Sequence, residues 1–389
     1  WQREPGAKAK RAQRVRDYMN TTIFYRMDDW EADTDMLLMQ LPIVGCAFRK
    51  VWYDAQRKQH CAALVHALNL VVPMTAKSCK TAIRMTEKIP DQYPVDILGK
   101  VLSGYYRSPD FLVGEEFDER PRLLLEQHRL IDIDGDGYPE PYIVTVDHET
   151  SEVLRVVANF SAQDVITDDT RVVRIVKGAF YVKYDFFPHP EGKFYGIGLG
   201  HLLKPMANVI DTAINQMIDA GTAQVAGGGW IASGVRLQGS NRTSSMYFRP
   251  GEYKTVNVPG DQLRAGIVER TYPNPSPIQF QLLELMLGAA NDISGVKDVI
   301  TGDASNNGQV GTTLALIEQG LQVFTAIYKR IYRALKDEYQ MLFENIGKYG
   351  SEETAQDYLD VLDDPQADFQ ADFQATDMDI RPVSDPTSV

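Results

Sequence analysis

The spacing of apolar residues changes several times along this chain, and each change marks a new element. Val15, Tyr18, Met19 and Ile23 return at mixed helical intervals beneath a basic face of Arg11, Arg14 and Arg16, so residues 1–40 read as helix. From Val44 the texture shortens to strand-like runs, GCAFRKVWY and then LNLVVP. Asp91 to Tyr106 reads as helix again. PYIVTVDHET, VLRVVANF and RVVRIVKGAFYVKYDFF then alternate apolar and polar positions, the period of a half-buried strand, and end near Pro188. Residues 1–190 are therefore expected to form a mixed α+β body.

The second half is dominated by helical periods. In 191–225, Leu199, Leu202, Leu203, Met206, Val209, Ile210, Ala213, Ile214, Met217 and Ile218 recur every three or four residues, with Pro205 near the first turns. AGGGW breaks that helix. A small region of strands and turns, 226–276, follows, punctuated by Gly234, Gly239, Pro250 and Gly251 and closed by YPNPSP. Residues 277–297 form a second helix, apolar on most faces, which requires cover from neighbours. The loop 298–312 is polar and rich in glycine and asparagine, and a loop of this length between two strong helices is more often functional than idle. A last helix over 313–349 carries a broad stripe from Leu314 to Ile346. It would be about 50 Å long, a length that points to packing against other subunits or across a large ring. The acidic segment 350–389, with its repeat QADFQADFQA, is expected to be loosely attached.

Composition narrows the class. The chain has 389 residues, 44% apolar and 24% charged, as in ordinary water-soluble proteins. Its longest apolar run, LPIVGCAF, falls far short of the roughly 20 residues needed to cross a bilayer, so no membrane partner is expected. Starting at Trp1 rather than Met, the chain reads as a fragment. Cys46, Cys61 and Cys79 fit neither a paired framework nor a zinc spacing, although His60 and His66 flank Cys61. A net charge of −13 has the wrong sign for gripping nucleic acid by its phosphates, but it suits a surface that lets nucleic acid slide past.

Candidate chemistry is sparse. IDIDGDGYPEPYIV places Asp132, Asp134, Asp136 and Gly137 where positions one, three, five and six of a calcium loop would stand. Position nine is Glu140, but position twelve is Ile143, which binds no cation. The segment therefore reads as a tight turn into a strand at 141–147, with a weakly held divalent cation at the three aspartates as the alternative. GIGLG at 196–200 lacks the GxGxxG spacing, and neither GxxxxGK[ST] nor GxSxG occurs. No carboxylate pair is tied by spacing to a histidine, so no catalytic residue is assigned and an enzyme is not expected. No cofactor is expected beyond that cation.

The order of parts resembles the portal protein of tailed bacteriophages, particularly the short-tailed type. FYGIGLGHLLKPMANVIDTAINQMIDAGTAQ resembles the first stem helix, YFRPGEYKTV part of the clip, and DVITGD…GTTLALIEQGLQVFTAIYKRIYRALKDEY the tunnel loop with the long helix after it. LNLVVP and LIDIDGDGYPEPYIVTV resemble wing segments. The likeness runs from about Val44 to Tyr349. It implies a wing at 1–190, stem helices at 191–225 and 277–297, a clip at 226–276, a tunnel loop at 298–312, a long wing or crown helix at 313–349 and an acidic tail. It further implies a ring of twelve copies at one capsid vertex of the virion, assembled in the host cytoplasm. Double-stranded DNA would be packaged through the ring by the large terminase subunit and later ejected. A head–tail adaptor would attach at the clip, and capsid and scaffolding proteins would meet the wing.

On that likeness, Lys297, Asp298, Thr301, Asp303, Ser305, Asn306, Asn307 and Gln309 would line the DNA channel, with Gly302, Gly308 and Gly311 as hinges. Arg236, Arg242, Arg249 and Glu252 would bind clip partners. Leu202, Met206, Ile210, Met217, Leu283 and Met286 would pack between subunits. The basic stripe Lys329, Arg330, Arg333 and Lys336 could face DNA or pair with acidic groups of a neighbour. Two other readings are a virion ring or adaptor without DNA passage, and a calcium-binding β module.

Overall fold

A computed structural model describes residues 7–27, 29–112, 119–168, 171–226, 229–231, 267–269, 277–294, 310–364 and 367–373, with 259, 261, 265, 378 and 380–382. It is a mixed helical and sheet structure. The chain divides into two units, one formed by Trp1–Leu202 with Gly302–Val389 and the other by Leu203–Thr301. Among the described residues, no helix is long and apolar enough to cross a membrane.

The first unit is organised around one strand. The N-terminal helices α1 (Ala7–Thr21) and α2 (Trp30–Val44) are separated by a π-helical turn at Thr22–Arg26, so the expected single helix is broken. Gly45 ends α2 with a positive φ of 96° and leads into β1 (Cys46–Asp54). β1 lies between β10 (Tyr181–Asp185) and β2 (Gln59–Val65), antiparallel to both. A second sheet has the order β3 (Leu70–Val71), β4 (Met85–Gln92), β5 (Arg122–Ile131), β6 (Glu140–Asp147), β7 (Val153–Ala158). A separate hairpin pairs β8 (Val165–Asp168) with β9 (Arg171–Ile175). The helix expected over Asp91–Tyr106 is confined to α3 (Pro94–Leu102), because Asp91 adopts a positive φ of 55° and Gln92 still pairs with Arg122 in the sheet.

β1 is covered on both faces, and its two-residue period sends neighbours into different cores. Ala47 and Val51 join Val15, Tyr18, Leu37, Leu41 and Tyr184 on the helical side. Cys46 and Phe48 join Leu70, Met85, Tyr181 and Phe194 on the other. Arg49 and Lys50 follow the same alternation. Arg49, only 1% exposed, reaches the helical side, where its Nε lies 3.3 Å from Oε1 of the fully buried Glu338. It also donates to the Trp30 carbonyl at 3.2 Å and to the Thr34 hydroxyl, and its guanidinium lies over the Trp30 ring. Glu338 accepts from Trp30 Nε1 at 2.8 Å and from the Tyr184 hydroxyl. Two buried charges thus share four elements, and burial together with Glu338 holds the Tyr184 phenol well above its usual pKa.

Glu338 belongs to the long helix. α4 (Leu199–Ala226), α5 (Pro277–Ser294) and α6 (Val310–Tyr349) are the main helices of the second half. α6 starts three residues before the expected boundary and spans about 60 Å at 1.5 Å per residue. Its side chains are described from Thr325. From there Ile327, Ala334, Glu338, Met341, Leu342 and Ile346 are buried in the chain's own core. Over this stretch the stripe expected to meet other subunits is already occupied in cis. Arg330, expected on a DNA-facing or neighbour-facing stripe, donates to the Phe186 carbonyl at 2.8 Å and lies over the Phe187 ring. Lys329 and Arg333 are exposed and Lys336 is half-buried.

The acidic segment after Gly350 is not loosely attached over its described residues. α7 (Glu352–Leu362) begins at a capping box in which the Ser351 hydroxyl accepts from Thr354 N at 3.3 Å, and α8 (Phe369–Phe373) follows. The four-residue repeat sets Phe369 and Phe373 one helical turn apart, so both rings enter the core beside Tyr358. Gly350 leaves the space: a Cβ there would stand 2.3 Å from the Phe369 ring. Arg14, expected on a solvent face, turns inward and donates to both Asp372 oxygens at 2.8 and 2.9 Å. Tyr358 donates to the same carboxylate at 2.8 Å, while Arg26 holds Asp357 through two bonds. Aromatic burial and these pairs outweigh the segment's acidic composition.

Two outcomes follow. Glu338→Ala should leave the buried Arg49 charge with only the Asp33 carboxylate, 3.5 Å away, among the described residues, and lower unfolding stability by about 3–5 kcal/mol, read from denaturant melts. His60, beside the Tyr53 ring, has its pKa lowered by burial to about 4. Its folded value lies below the unfolded value of about 6.5, so its contribution is intact above that pH and is lost as pH falls toward 4. His60→Gln should therefore flatten part of the fall in melting temperature between about pH 6.5 and 4.

Candidate functional site: a two-helix unit with exposed apolar faces

GIGLG stands where α4 begins, and its glycines are required by contact. A Cβ at Gly196 would lie 2.5 Å from the Gly45 carbonyl oxygen, and one at Gly198 would lie 2.4 Å from that of Ile43. At Gly200 the distance to the Ile43 oxygen would be 2.6 Å. Ile197 also exchanges backbone hydrogen bonds with Phe187, at 2.8 and 3.3 Å. The motif is a close crossing of the chain over the end of α2, which explains its glycine spacing without a phosphate.

Beyond this crossing, α4 and α5 carry most of the described side chains of the second unit. A hydrogen bond from Gln279 to Gln216, 3.2 Å long, ties them together. The less exposed positions of α4, namely Leu203, Met206, Ile210, Ala213 and Met217, fall at three- and four-residue intervals on a single stripe. On α5 the corresponding stripe is Gln279, Leu283, Met286 and Ala290. Of the residues expected between subunits, Met206, Ile210, Met217, Leu283 and Met286 are thus partly covered within the chain, and Leu202 is exposed.

A second set of apolar side chains remains in water. On α4 these are Leu202, Val209, Ile214, Ile218 and Val225; on α5 they are Ile278, Phe280, Leu282, Leu285, Leu287 and Ile293. Burying one such side chain fully is worth about 1.5–3 kcal/mol, and these eleven form a large apolar surface left in water. Past α4, β11 (Gly229–Ile231) pairs antiparallel with β12 (Ile267–Glu269). This closes the base of the segment expected to be a clip. Arg236, Arg242, Arg249 and Glu252 lie outside the described residues. So do Lys297, Asp298, Thr301, Asp303, Ser305, Asn306, Asn307 and Gln309 of the expected tunnel loop, with hinges Gly302 and Gly308. Gly311 falls within α6.

The aspartate segment forms the expected turn. Asp132 accepts from Gly135 N at 2.7 Å and Gly137 N at 3.0 Å, Asp134 accepts from Asp136 N at 3.3 Å, and Asp136 accepts from Tyr138 N at 2.7 Å. Gly135 and Gly137 supply positive φ angles of 76° and 89°. Oxygens of the three carboxylates lie within 4.8 Å of one another, all exposed, and this is the only such grouping among the described residues. Glu140 points to other work, accepting from the Tyr142 hydroxyl at 2.8 Å. The carboxylates are thus occupied in holding the turn, as Asx turns do.

One buried polar cluster was missed by reading the sequence. Lys50 donates to Glu87 at 2.6 Å and to Glu126 at 2.9 Å. His128 lies 2.9 Å from Glu126, and Tyr181 donates to Glu87 at 2.8 Å. The cluster joins the two sheets. Burial opposes the Lys50 charge, but Glu126 and Glu87 hold its pKa above the ordinary amine value. Burial likewise opposes the Glu126 charge, and Lys50 with His128 holds it well below the carboxylate range. Both groups stay ionised near neutrality, which suits a clamp rather than a proton-transfer pair. The available signal was FRKVW, two adjacent cations inside an otherwise apolar strand.

Gly198→Ala should push a methyl into the Ile43 carbonyl and destabilise the first unit by about 1–3 kcal/mol, with inorganic phosphate failing to restore the melting temperature. No protein-family model and no curated protein matches this chain, so its function is argued from its own residues.

Proposed function

We propose that the chain is the protomer of a phage portal: a ring at one capsid vertex through which double-stranded DNA is packaged by terminase and later ejected, and to which a head–tail adaptor attaches. The observation that carries this reading is the exposed apolar surface that flanks the partly covered stripes of α4 and α5. Eleven large side chains on two helices stay in water in the single chain, and copies placed side by side around an axis would cover them. The order of segments agrees with it, with a strand-rich body, a long helix, an inserted β pair, an apolar helix, a polar segment and a very long helix in succession. The net charge of −13 suits a channel that must not hold the duplex. Terminase, adaptor, capsid and scaffolding partners belong to the same proposal.

The test is assembly. Light scattering after size exclusion, with negative-stain imaging, should give rings of about twelve copies with an axial hole. Ile218→Asp with Leu285→Asp should dissolve the rings into folded monomers, since both positions are exposed in the single chain. A wild-type chain that remains monomeric at high concentration would overturn the proposal. Rings that form but support no DNA packaging would favour a virion ring or adaptor instead.

A further inference from the structure

A groove of about 650 Å³ opens in the first unit between α1 and α6, with Met378, Ile380, Arg381 and Pro382 forming a further wall. It is distinct from the α4 and α5 faces. Its floor is apolar and aromatic, made by Met19, Ile23, Ile331, Tyr332, Leu335 and Tyr339. Phe24 and Tyr328 stand at its edge, each 56% exposed. The described charged residues lining it are all cations, namely Lys8, Arg11, Arg16 and Arg381. That is unusual on a chain carrying 53 acidic against 40 basic residues.

We propose that this groove is a docking site for an acidic amphipathic helix of a partner protein. Length and charge together argue for that occupant. Lys8 to Asn20 on α1 and Tyr328 to Tyr339 on α6 each run about 17 Å at 1.5 Å per residue, three turns of a helix. A volume of this size takes two or three large apolar side chains, the anchors that a helix presents at i, i+3 or i+4, and i+7. The cationic rim selects acidic residues on the partner's outer face and repels basic ones. Arg16 also pairs with Asp17 at 2.7 Å. Lys8, Arg11 and Arg381 also already make contacts, so a partner's carboxylates would join or displace those contacts rather than meet free cations. The groove lies wholly within one unit, so the proposal does not depend on ring formation.

The full chain should be titrated against a fluorescein-labelled peptide of about twelve residues, with leucines at helical spacing and glutamates elsewhere, and followed by fluorescence polarisation. Two control peptides are needed, one with lysine for every glutamate and one acidic but scrambled. The acidic amphipathic peptide should bind saturably, weaken at high salt, and exceed both controls by about tenfold or more. Phe24→Asp with Tyr328→Asp, and separately Lys8→Glu with Arg16→Glu, should each cost about tenfold in affinity with an unchanged melting temperature. A photo-crosslinking version, read by mass spectrometry on the unsubstituted chain, should label α1 and α6, which keeps the test independent of how the variants fold.

Several results would overturn the proposal. The acidic peptide could fail to saturate, bind no better than the lysine peptide, or crosslink elsewhere. Self-association lost in Phe24→Asp with Tyr328→Asp would assign the groove to a second copy. Peptide binding that appears only after removal of residues 383–389 would assign it to the chain's own end.

Discussion

Arg49 and Lys50 are adjacent on β1 and point in opposite directions, each into a buried set of carboxylates. Burying one such charge would cost several kcal/mol if it were unpaired, and here two are buried on neighbouring residues. The strand period makes this unavoidable once both residues lie within a strand covered on both faces. The structure meets the demand by bringing Glu338 from the long helix to one face and Glu87 with Glu126 from the second sheet to the other. Four layers are thereby tied to a single strand: the N-terminal helices, the three-stranded sheet, the five-stranded sheet and the last third of α6.

That anchoring explains how α6 divides its surface. Its C-terminal part surrenders its apolar stripe to the chain's own core, and the α7–α8 segment closes over it through Tyr358, Phe369 and Phe373. Carboxylates of this segment meet cations of the N-terminal helices, Asp372 with Arg14 and Asp357 with Arg26. An acidic composition, which by itself argues for solvation, is here the complement of a basic helix face. The same basic helix leaves Lys8, Arg11 and Arg16 on the rim of the neighbouring groove. α1 thus supplies one internal contact and one candidate external surface.

The two-helix unit follows a different logic. α4 and α5 each have one partly covered stripe flanked by exposed apolar side chains. A core can be completed by more of the same chain or by another molecule, and the proposed ring would be the second solution. The glycine crossing at Gly196, Gly198 and Gly200 over Ile43 and Gly45 packs the start of α4 closely against the body at its root.

The succession of helices and strands was legible because local periodicity reports it directly. β1, β3, β6, β7, β9, β10, α4 and α5 follow from the spacing of apolar side chains and the aspartate turn from Asp and Gly chemistry, whereas β2, β4, β5 and β8 were not read from the sequence. What the sequence could not assign was the partner of each face. Arg14 reads as a solvent-facing cation until Asp372, 358 positions away, is folded against it. Lys50 reads as a polar interruption in a strand until two other strands bring Glu87 and Glu126 to its ammonium. Periodicity fixes which residues share a face of an element. Which surface covers that face depends on contacts between residues far apart in the chain, and only the tertiary structure decided those.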